Sequence, residues 1–226
     1  MYLSKISFDA RRGREIVSTL NEGLYFEHQL IWSFLPKDEA AQRDFLYRRD
    51  DSQAVPFFYL LSQRKPMVEN DLFHCQTRVF APQLHSGDCL NFSLRANAVK
   101  SHKAQDTNRR VRSDIVKAKT LDYEQHSPDA MPSLAQIRYD AGCEWLTAQG
   151  EKKGFKVLSM TVENHVLHHF SASDKAKDDQ KQFFASMDYQ GVLQVTDPTV
   201  FMQEALVSGL GRSKAFGCGL LLIRRV

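Results

Sequence analysis

The glycine-rich stretch near the end of the chain constrains the possible folds more than any other segment. Four of the chain's 11 glycines lie within it, at Gly209, Gly211, Gly217 and Gly219, with the spacing Gly-x-Gly-x5-Gly-x-Gly. Glycine has no Cβ, so it permits positive φ and lets backbone N–H groups approach a ligand or a neighbouring strand closely. The stretch therefore predicts a tight loop.

The elements around this loop differ from those of the common nucleotide-binding loops. Asp197 and Pro198 predict the start of a helix that precedes the loop, and the apolar run over 220–223 predicts a buried strand after it. Dinucleotide-binding and P-loop motifs run from strand to helix and have other glycine spacings. Two interpretations stay open, a helix-to-strand turn and a loop that contacts phosphate through Arg212, Ser213 and Lys214.

Hydrophobic periodicity predicts the same order of elements in both halves of the chain. In the first half we predict strands at Leu3 to Phe8, Asp44 to Arg48, Phe57 to Ser62 and Thr77 to Ala81, helical structure from Arg11 to Leu35 broken at Asn21 to Gly23, and a short helix near Met67 to Phe73. In the second half we predict strands at Cys89 to Val99, Phe155 to Val162, within Phe183 to Val195 and at Gly219 to Arg225, with helices at Leu134 to Gln149 and Pro198 to Ser208.

This order predicts an α+β fold of two tandem ferredoxin-like (βαββαβ) domains. The turn signal His85 to Asp88 places the domains at residues 1–86 and 87–226, with the glycine-rich loop before the C-terminal strand. The charged stretch Ser171 to Lys181 is interpreted as an exposed hairpin loop.

Composition excludes some classes of protein. With 226 residues and 42% hydrophobic residues, the chain can form packed cores. No apolar run approaches the ~20 residues that span a bilayer, and no signal-peptide pattern is present, so we expect a cytoplasmic protein with no membrane contact. The four cysteines form no Cys-x-x-Cys pair, which argues against a zinc knuckle or a disulfide framework.

Positive charge is concentrated in one segment. Between Lys100 and Lys119 the chain carries seven Lys and Arg residues against two Asp residues, whereas its total net charge is only +3. Such a segment is either a mobile surface loop or a surface that contacts nucleic acid.

His28 is the candidate catalytic residue, although its helical position alone favours a structural role. On a helical wheel it falls inside the apolar stripe with Leu24, Ile31 and Leu35, and functional histidines need an accessible partner. Tyr25, three residues earlier, can share a pocket mouth with it. A second histidine group, His165, His168 and His169, lacks a Cys or carboxylate at ligand spacing, so we expect no metal site there.

Four stretches carry a resemblance to a known family. They are the start Met1 to Lys5, the segment Leu24-Tyr25-x-x-His28-x-x-x-Trp32-x-Phe34-x-Pro36, the segment Leu94-Arg95-Ala96-Asn97-x-x-Lys100, and the glycine-rich loop. Together and in this order they resemble the CRISPR precursor-RNA endoribonucleases of type I-E systems, which are subunits of the Cascade complex and belong to the repeat-associated RNA-binding superfamily. The proline that usually follows Arg-Ala-Asn is replaced here by Ala98.

The resemblance implies a metal-independent cleavage of RNA without a cofactor. His28 and Tyr25 match the family's catalytic histidine and tyrosine, and the products would be a 2′,3′-cyclic phosphate and a 5′-hydroxyl. The implied partners are the stem-loop of CRISPR repeat RNA, the mature guide RNA and other Cascade subunits, for a prokaryotic protein that is a monomer when free. The predicted RNA-binding residues are Arg95, Lys100, Lys103, Arg109, Arg110, Arg112, Lys117, Lys119, Arg212, Ser213 and Lys214. A non-catalytic subunit that binds an RNA hairpin is the alternative.

Overall fold

The computed structural model describes residues 1–9, 11, 23–36, 43–68, 71–103, 110–170 and 182–226. The predicted loop from Ser171 to Lys181 lies outside these residues, as does the predicted helix from Arg11 to Leu20 apart from Arg11 itself. Two compact units make up the chain. The first comprises Met1–Gln83, His169–Phe183 and Ser213–Leu220, and the second comprises Leu84–His168, Phe184–Arg212 and Leu221–Val226.

The first unit contains a four-stranded antiparallel sheet with a helix. Its elements in chain order are β1 (Tyr2–Phe8), α1 (Leu24–Ser33), β2 (Phe45–Asp50), β3 (Phe57–Ser62) and β4 (Phe73–Val79). The strands lie in the order β2-β3-β1-β4, and β1 pairs antiparallel with both β3 and β4. This is the strand order of a ferredoxin-like domain.

Alternation along the strands determines which face of this sheet α1 covers. Ile6 is opposite Phe58 in the β1–β3 ladder, and both side chains are fully buried. They form one apolar cluster with Ile31 of α1 and with Phe34, the residue that caps the end of the helix. Burial of these side chains fixes α1, which carries the candidate catalytic residues, against the sheet.

The second unit repeats this arrangement with additional elements. They are β5 (Cys89–Ala96), β6 (Val99–Lys103), β7 (Arg110–Asp114), α2 (Ile115–His126), α3 (Leu134–Lys152), β8 (Phe155–Phe170), β9 (Gln182–Val195), α4 (Pro198–Val200, continued by a π-helical segment Phe201–Val207) and β10 (Leu221–Arg225). The main sheet has the order β10-β5-β9-β8, which is again ferredoxin-like, while β6 and β7 form a separate antiparallel hairpin.

The predicted tandem ferredoxin-like fold is confirmed, with three corrections to its elements. The fourth strand is Phe73–Val79, not Thr77 to Ala81, and the described residues of Met67 to Phe73 form no helix because Phe73 already begins β4. The basic segment contains strands and the start of a helix. Within the described ranges, no helix has both the length and the apolar composition needed to cross a bilayer.

Sequence periodicity did not indicate α2 because the helix is polar over most of its length. Its buried residues are Ile115 and Val116, both in the first turn. Asp114 caps the start of the helix, and its carboxylate accepts hydrogen bonds from the backbone N–H groups of Val116 and Lys117. Such a cap satisfies N–H groups that the first turn would otherwise leave unpaired.

The glycine-rich loop has the backbone that its composition predicts. Gly209, Gly211, Gly217 and Gly219 all have φ between 75° and 94°. At Gly211 close packing adds a second requirement, since a Cβ there would lie 2.7 Å from the carbonyl oxygen of Asn97. The next residue, Arg212, donates its backbone N–H to that same oxygen at 3.0 Å.

A side chain at Gly211 should therefore destabilise the protein by more than the strain of a positive φ alone. Gly87 is the matched control, because it has a φ of 95° and a Cβ there would meet no atom within 4 Å. We expect Gly211→Ala to lower the free energy of unfolding by about 1–3 kcal/mol more than Gly87→Ala does, the usual cost of overpacking. Urea denaturation of both variants measures the difference, and equal losses would contradict the close approach.

Candidate active site

His28 lies in a pocket formed by aromatic side chains of the first unit. Its ring centroid is 6.3 Å from that of Trp32, 6.2 Å from that of Phe45 and 6.3 Å from that of Phe216. The side chain is half-buried. The helical-wheel position of His28 inside the apolar stripe thus corresponds to an aromatic pocket that still has an opening.

Only one ring nitrogen of His28 meets a hydrogen-bond donor within bonding distance. Trp32 donates its indole N–H to Nε2 across 3.1 Å. The other nitrogen, Nδ1, is buried, and among the described residues no group meets hydrogen-bond geometry with it. The backbone carbonyl of Ala215 acts to raise the pKa of His28.

Ala215 belongs to the second half of the glycine-rich loop, which packs against α1 and β2. Residues Lys214–Phe216 form one 3-10 turn, and the residues on either side, Ser213 and Gly217, both have left-handed backbones with φ of 50° and 76°. The buried hydroxyl of Tyr47 donates to the carbonyl oxygen of Ala215 at 3.1 Å. The turn that carries Lys214 thus lies beside the candidate histidine.

Two effects lower the pKa of His28. Burial is the larger, because the aromatic pocket disfavours the charged imidazolium, and the positive charge of Arg43 is the second. The opposing influence of the Ala215 carbonyl is smaller. His28 is therefore neutral at pH 7.

Arg43 is a functional candidate that the sequence analysis missed. It immediately precedes Asp44, at the predicted start of β2. It lies two residues before Phe45 and four before Tyr47, which contact His28 and Ala215 respectively. Its side chain is exposed, and partial burial of the charge lowers its pKa. The i, i+2 spacing from Phe45 is the signal that could have identified it.

The buried carboxylate next to His28 in the chain is neutralised. Glu27 is 5% exposed and accepts a hydrogen bond from Arg49 at 2.6 Å. Arg49 also donates to Asp51 at 2.7 Å. Burial, followed by the charge of Glu27, raises the pKa of Tyr47 well above its usual range, so Tyr47 keeps its proton and acts as a hydrogen-bond donor.

Tyr25 and the cations of the glycine-rich loop have exposed or half-exposed side chains. Tyr25 is 44% exposed, and no hydrogen bond of its hydroxyl is found within the described residues. Ser213 and Lys214 are half-buried in the turn beside His28, whereas Arg212 is exposed and belongs to the second unit. Tyr25 is thus open to a substrate near the pocket.

The predicted RNA-binding residues of the basic segment fall into two groups. Lys100, Arg112 and Lys117 are exposed on β6, β7 and the first turn of α2. Lys119 instead forms an ion pair with Glu144 of α3, and its side chain is only 17% exposed. Lys103 and Arg110 are register partners in the hairpin, where only their backbone is described, and Arg109 lies outside the described residues.

Arg95 is also held by a partner within the fold. It donates two hydrogen bonds to the carboxylate of Asp188, at 2.8 Å and 3.0 Å. Asp188 is 7% exposed and accepts a further bond from Asn164 at 3.2 Å. Such a bidentate pair fixes the guanidinium in place.

The second histidine group makes separate contacts. His165 lies 3.3 Å from the carboxylate of Asp114, and His168 lies 2.7 Å from the hydroxyl of Ser186 and stacks on Phe184. Burial lowers the pKa of His168. Within the described part of the chain, no three His, Cys, Asp or Glu residues are arranged to hold a metal ion.

A family model described as CRISPR associated protein matches residues 1–225 of the chain. The chain therefore belongs to the CRISPR-associated protein family. Sequence comparison with curated proteins gives no significant match.

Solved structures extend this assignment to the fold. The chain is similar to CRISPR endoribonuclease Cse3 bound to a 19-nucleotide RNA, with 20% identity over 99% of this chain and 100% of that one and a TM-score of 0.69. It is also similar to Cas6e from Escherichia coli K-12, with 23% identity, complete coverage of both chains and a TM-score of 0.64. Thermus thermophilus Cse3, bound to an RNA representing a pre-cleavage complex, gives 20% identity over 99% and 98% of the two chains and a TM-score of 0.68. The resemblance drawn from the sequence motifs is confirmed for family and fold.

Replacing Arg43 should change the titration of His28. We expect Arg43→Gln to raise the pKa of His28, because removing a nearby positive charge favours the imidazolium. NMR titration of the ring C–H signals measures this pKa, and Arg78→Gln, an exposed position on β4, is the charge-matched control. An unchanged pKa in Arg43→Gln would show that the guanidinium does not act on the ring.

Proposed function

We propose that this protein is a metal-independent endoribonuclease that binds the stem-loop of CRISPR repeat RNA and cleaves the precursor transcript into guide RNAs. The observation that carries the proposal is a half-buried, neutral His28 beside the cation Arg43 and the Lys214 turn, one helical turn after the exposed Tyr25. Membership of the CRISPR-associated family supports it, as does the similarity to an endoribonuclease that was solved with RNA.

RNA supplies its own nucleophile, so the chemistry needs proton transfer and charge stabilisation and no metal-bound water. A base removes the proton of the 2′-hydroxyl, and its oxygen forms a bond to the adjacent phosphorus. The bond from phosphorus to the 5′-oxygen then breaks, and that oxygen takes up a proton. The products are a 2′,3′-cyclic phosphate and a 5′-hydroxyl.

The lowered pKa of His28 favours a role as the general base over that of the general acid. A ring whose pKa lies below the ordinary ~6.5 is mainly neutral at physiological pH and is able to accept the proton of the 2′-hydroxyl. Tyr25 orients the 2′-hydroxyl or protonates the leaving oxygen. Arg43 and Lys214 are cations that stabilise the negative charge of the pentacoordinate phosphorus.

The exposed cations of the basic segment hold the RNA stem. An A-form stem is bound through its phosphates and shape, which requires Lys and Arg more than base-reading geometry. Lys100, Arg112 and Lys117 are exposed and suit this role, whereas Lys119 and Arg95 stabilise the fold through Glu144 and Asp188.

After cleavage we propose that the protein keeps its product and joins a Cascade complex in the prokaryotic cytoplasm. A chain of a CRISPR RNA-guided surveillance complex matches with 17% identity over the full length of both chains and a TM-score of 0.67, which supports this assembly. A hairpin-binding subunit without catalysis remains the second candidate, because it would use the same exposed cations.

His28→Ala should abolish cleavage and leave binding intact. Loss of a general base costs about 10²–10⁴-fold in rate, and a gel assay of a labelled repeat hairpin in EDTA resolves cleaved from uncut RNA. His74→Ala, an exposed histidine on β4, is the control and should cleave like the wild type. If His28→Ala cleaves at the wild-type rate, His28 is not the base. If neither the wild type nor the variants cleave but all bind, the second candidate holds.

Neutralising Lys100 and Arg112 should weaken hairpin binding and reduce its salt dependence. Each phosphate contact removed is expected to lower the slope of log affinity against log salt by about 1. Lys119→Gln is the matched control, since Lys119 is paired with Glu144 and should leave the slope unchanged. Equal slopes for the Lys100→Gln/Arg112→Gln variant and the wild type would rule out this surface as the RNA contact.

A further inference from the structure

The hydrogen bond between Trp32 and His28 determines which ring nitrogen carries the proton. An indole N–H is a donor and never an acceptor, so Nε2 of His28 must accept through its lone pair across the 3.1 Å contact. A neutral imidazole has one protonated nitrogen. The proton of neutral His28 therefore sits on Nδ1.

Packing holds the indole in the orientation that this bond requires. The Trp32 ring meets Phe45 edge-on, with centroids 5.0 Å apart, and the guanidinium of Arg64 lies 5.6 Å from the Trp32 ring centroid. Arg64 is itself fixed, because it donates to both carboxylate oxygens of Asp44 and to the carbonyl of Pro36. In the free protein, packing against Phe45 and Arg64 thus orients the N–H toward Nε2.

Among the described residues, no donor meets hydrogen-bond geometry with the other ring nitrogen, Nδ1, which is buried. The carbonyl of Ala215, a hydrogen-bond acceptor, acts on the ring and raises its pKa. The Tyr47 hydroxyl holds that carbonyl in place while leaving it a second lone pair.

We propose that Trp32 is a positioning residue that keeps His28 in the Nδ1–H tautomer and so reserves Nε2 as the nitrogen that receives the proton. The 2′-hydroxyl of the substrate replaces the indole as the donor to Nε2. Its O–H bond then breaks as the Nε2–H bond forms, and the oxygen electron pair forms the bond to phosphorus. The proton transfer from the 2′-hydroxyl rests on the proposed function, whereas the tautomer assignment does not.

Two-bond ¹H–¹⁵N correlation spectra of the free protein read the tautomer directly. The signals that disappear in His28→Ala identify the ring, and above its pKa we expect Nδ1 protonated and Nε2 bare. Trp32→Phe keeps an aromatic ring and removes the donor, so Nε2 should become protonated in part of the population. The pKa of His28 should also rise, because the lost bond favoured the neutral ring.

Trp145→Phe is the matched control, since it removes the chain's other indole N–H from the second unit. It should leave the ring spectrum of His28 unchanged. A wild-type spectrum with protonated Nε2 overturns the inference without any variant. An unchanged ring spectrum in folded Trp32→Phe overturns it as well.

Single-turnover cleavage tests the link to catalysis. Trp32→Phe should cleave roughly 10-fold slower, well below the full contribution of a general base, and the rise of rate with pH should shift to higher pH. A pH profile identical to wild type overturns the positioning role. Wild-type cleavage by His28→Ala overturns the proposed function instead, and leaves the tautomer assignment standing on its spectrum.

Discussion

The left-handed backbone conformations of Ser213 and Gly217 determine the direction of the turn between them. They enclose Lys214–Phe216, and the hydroxyl of Tyr47 ties that turn to β2 through the carbonyl of Ala215. The placement of the Phe216 ring beside His28 follows from this geometry, as does the influence of the Ala215 carbonyl on the pKa of His28. The environment of the candidate base is therefore built by a backbone conformation that most residues adopt only under strain.

Charge around His28 is arranged so that the ring stays neutral. The buried carboxylate of Glu27 lies next to His28 in sequence, but it forms an ion pair with Arg49. The positive charge of Arg43 lowers the pKa of His28 and so adds to the effect of burial. An acidic neighbour that acted on the ring would favour the imidazolium, and Glu27, which is paired with Arg49, is not among the groups that shift the pKa of His28.

Sequence periodicity predicted the two sheets because strands with one buried face alternate regularly, and it located His28 on a helix because Leu24, Ile31 and Leu35 recur at helical spacing. It missed α2, where only Ile115 and Val116 mark the buried side. The sequence also does not show which cations are paired within the fold, so Lys119 and Arg95 were predicted as RNA-binding residues. Lys119 pairs with a residue 25 positions away and Arg95 with one 93 positions away, and only the fold brings those carboxylates near.

The site was predictable where it depends on local spacing and not where it depends on tertiary contacts. Tyr25, His28 and Trp32 lie on one helix, so their proximity follows from the helical repeat. The hydrogen bond that selects a tautomer needs the indole orientation set by Phe45 and Arg64. Arg43 lies two residues before Phe45, and that spacing becomes informative only once the fold shows that Phe45 contacts His28.

The Arg-Ala-Asn segment that contributed to the family resemblance is architectural in this protein. Asn97 is buried, donates its side-chain amide to the carbonyl of Ala185 at 2.7 Å and accepts the backbone N–H of Arg212 through its own carbonyl. Arg95 is engaged with Asp188. These contacts stabilise the fold and do not involve the candidate catalytic residues. The segment is therefore a marker of ancestry, and a survey for the proposed cleavage would have to score the imidazole and its indole neighbour instead.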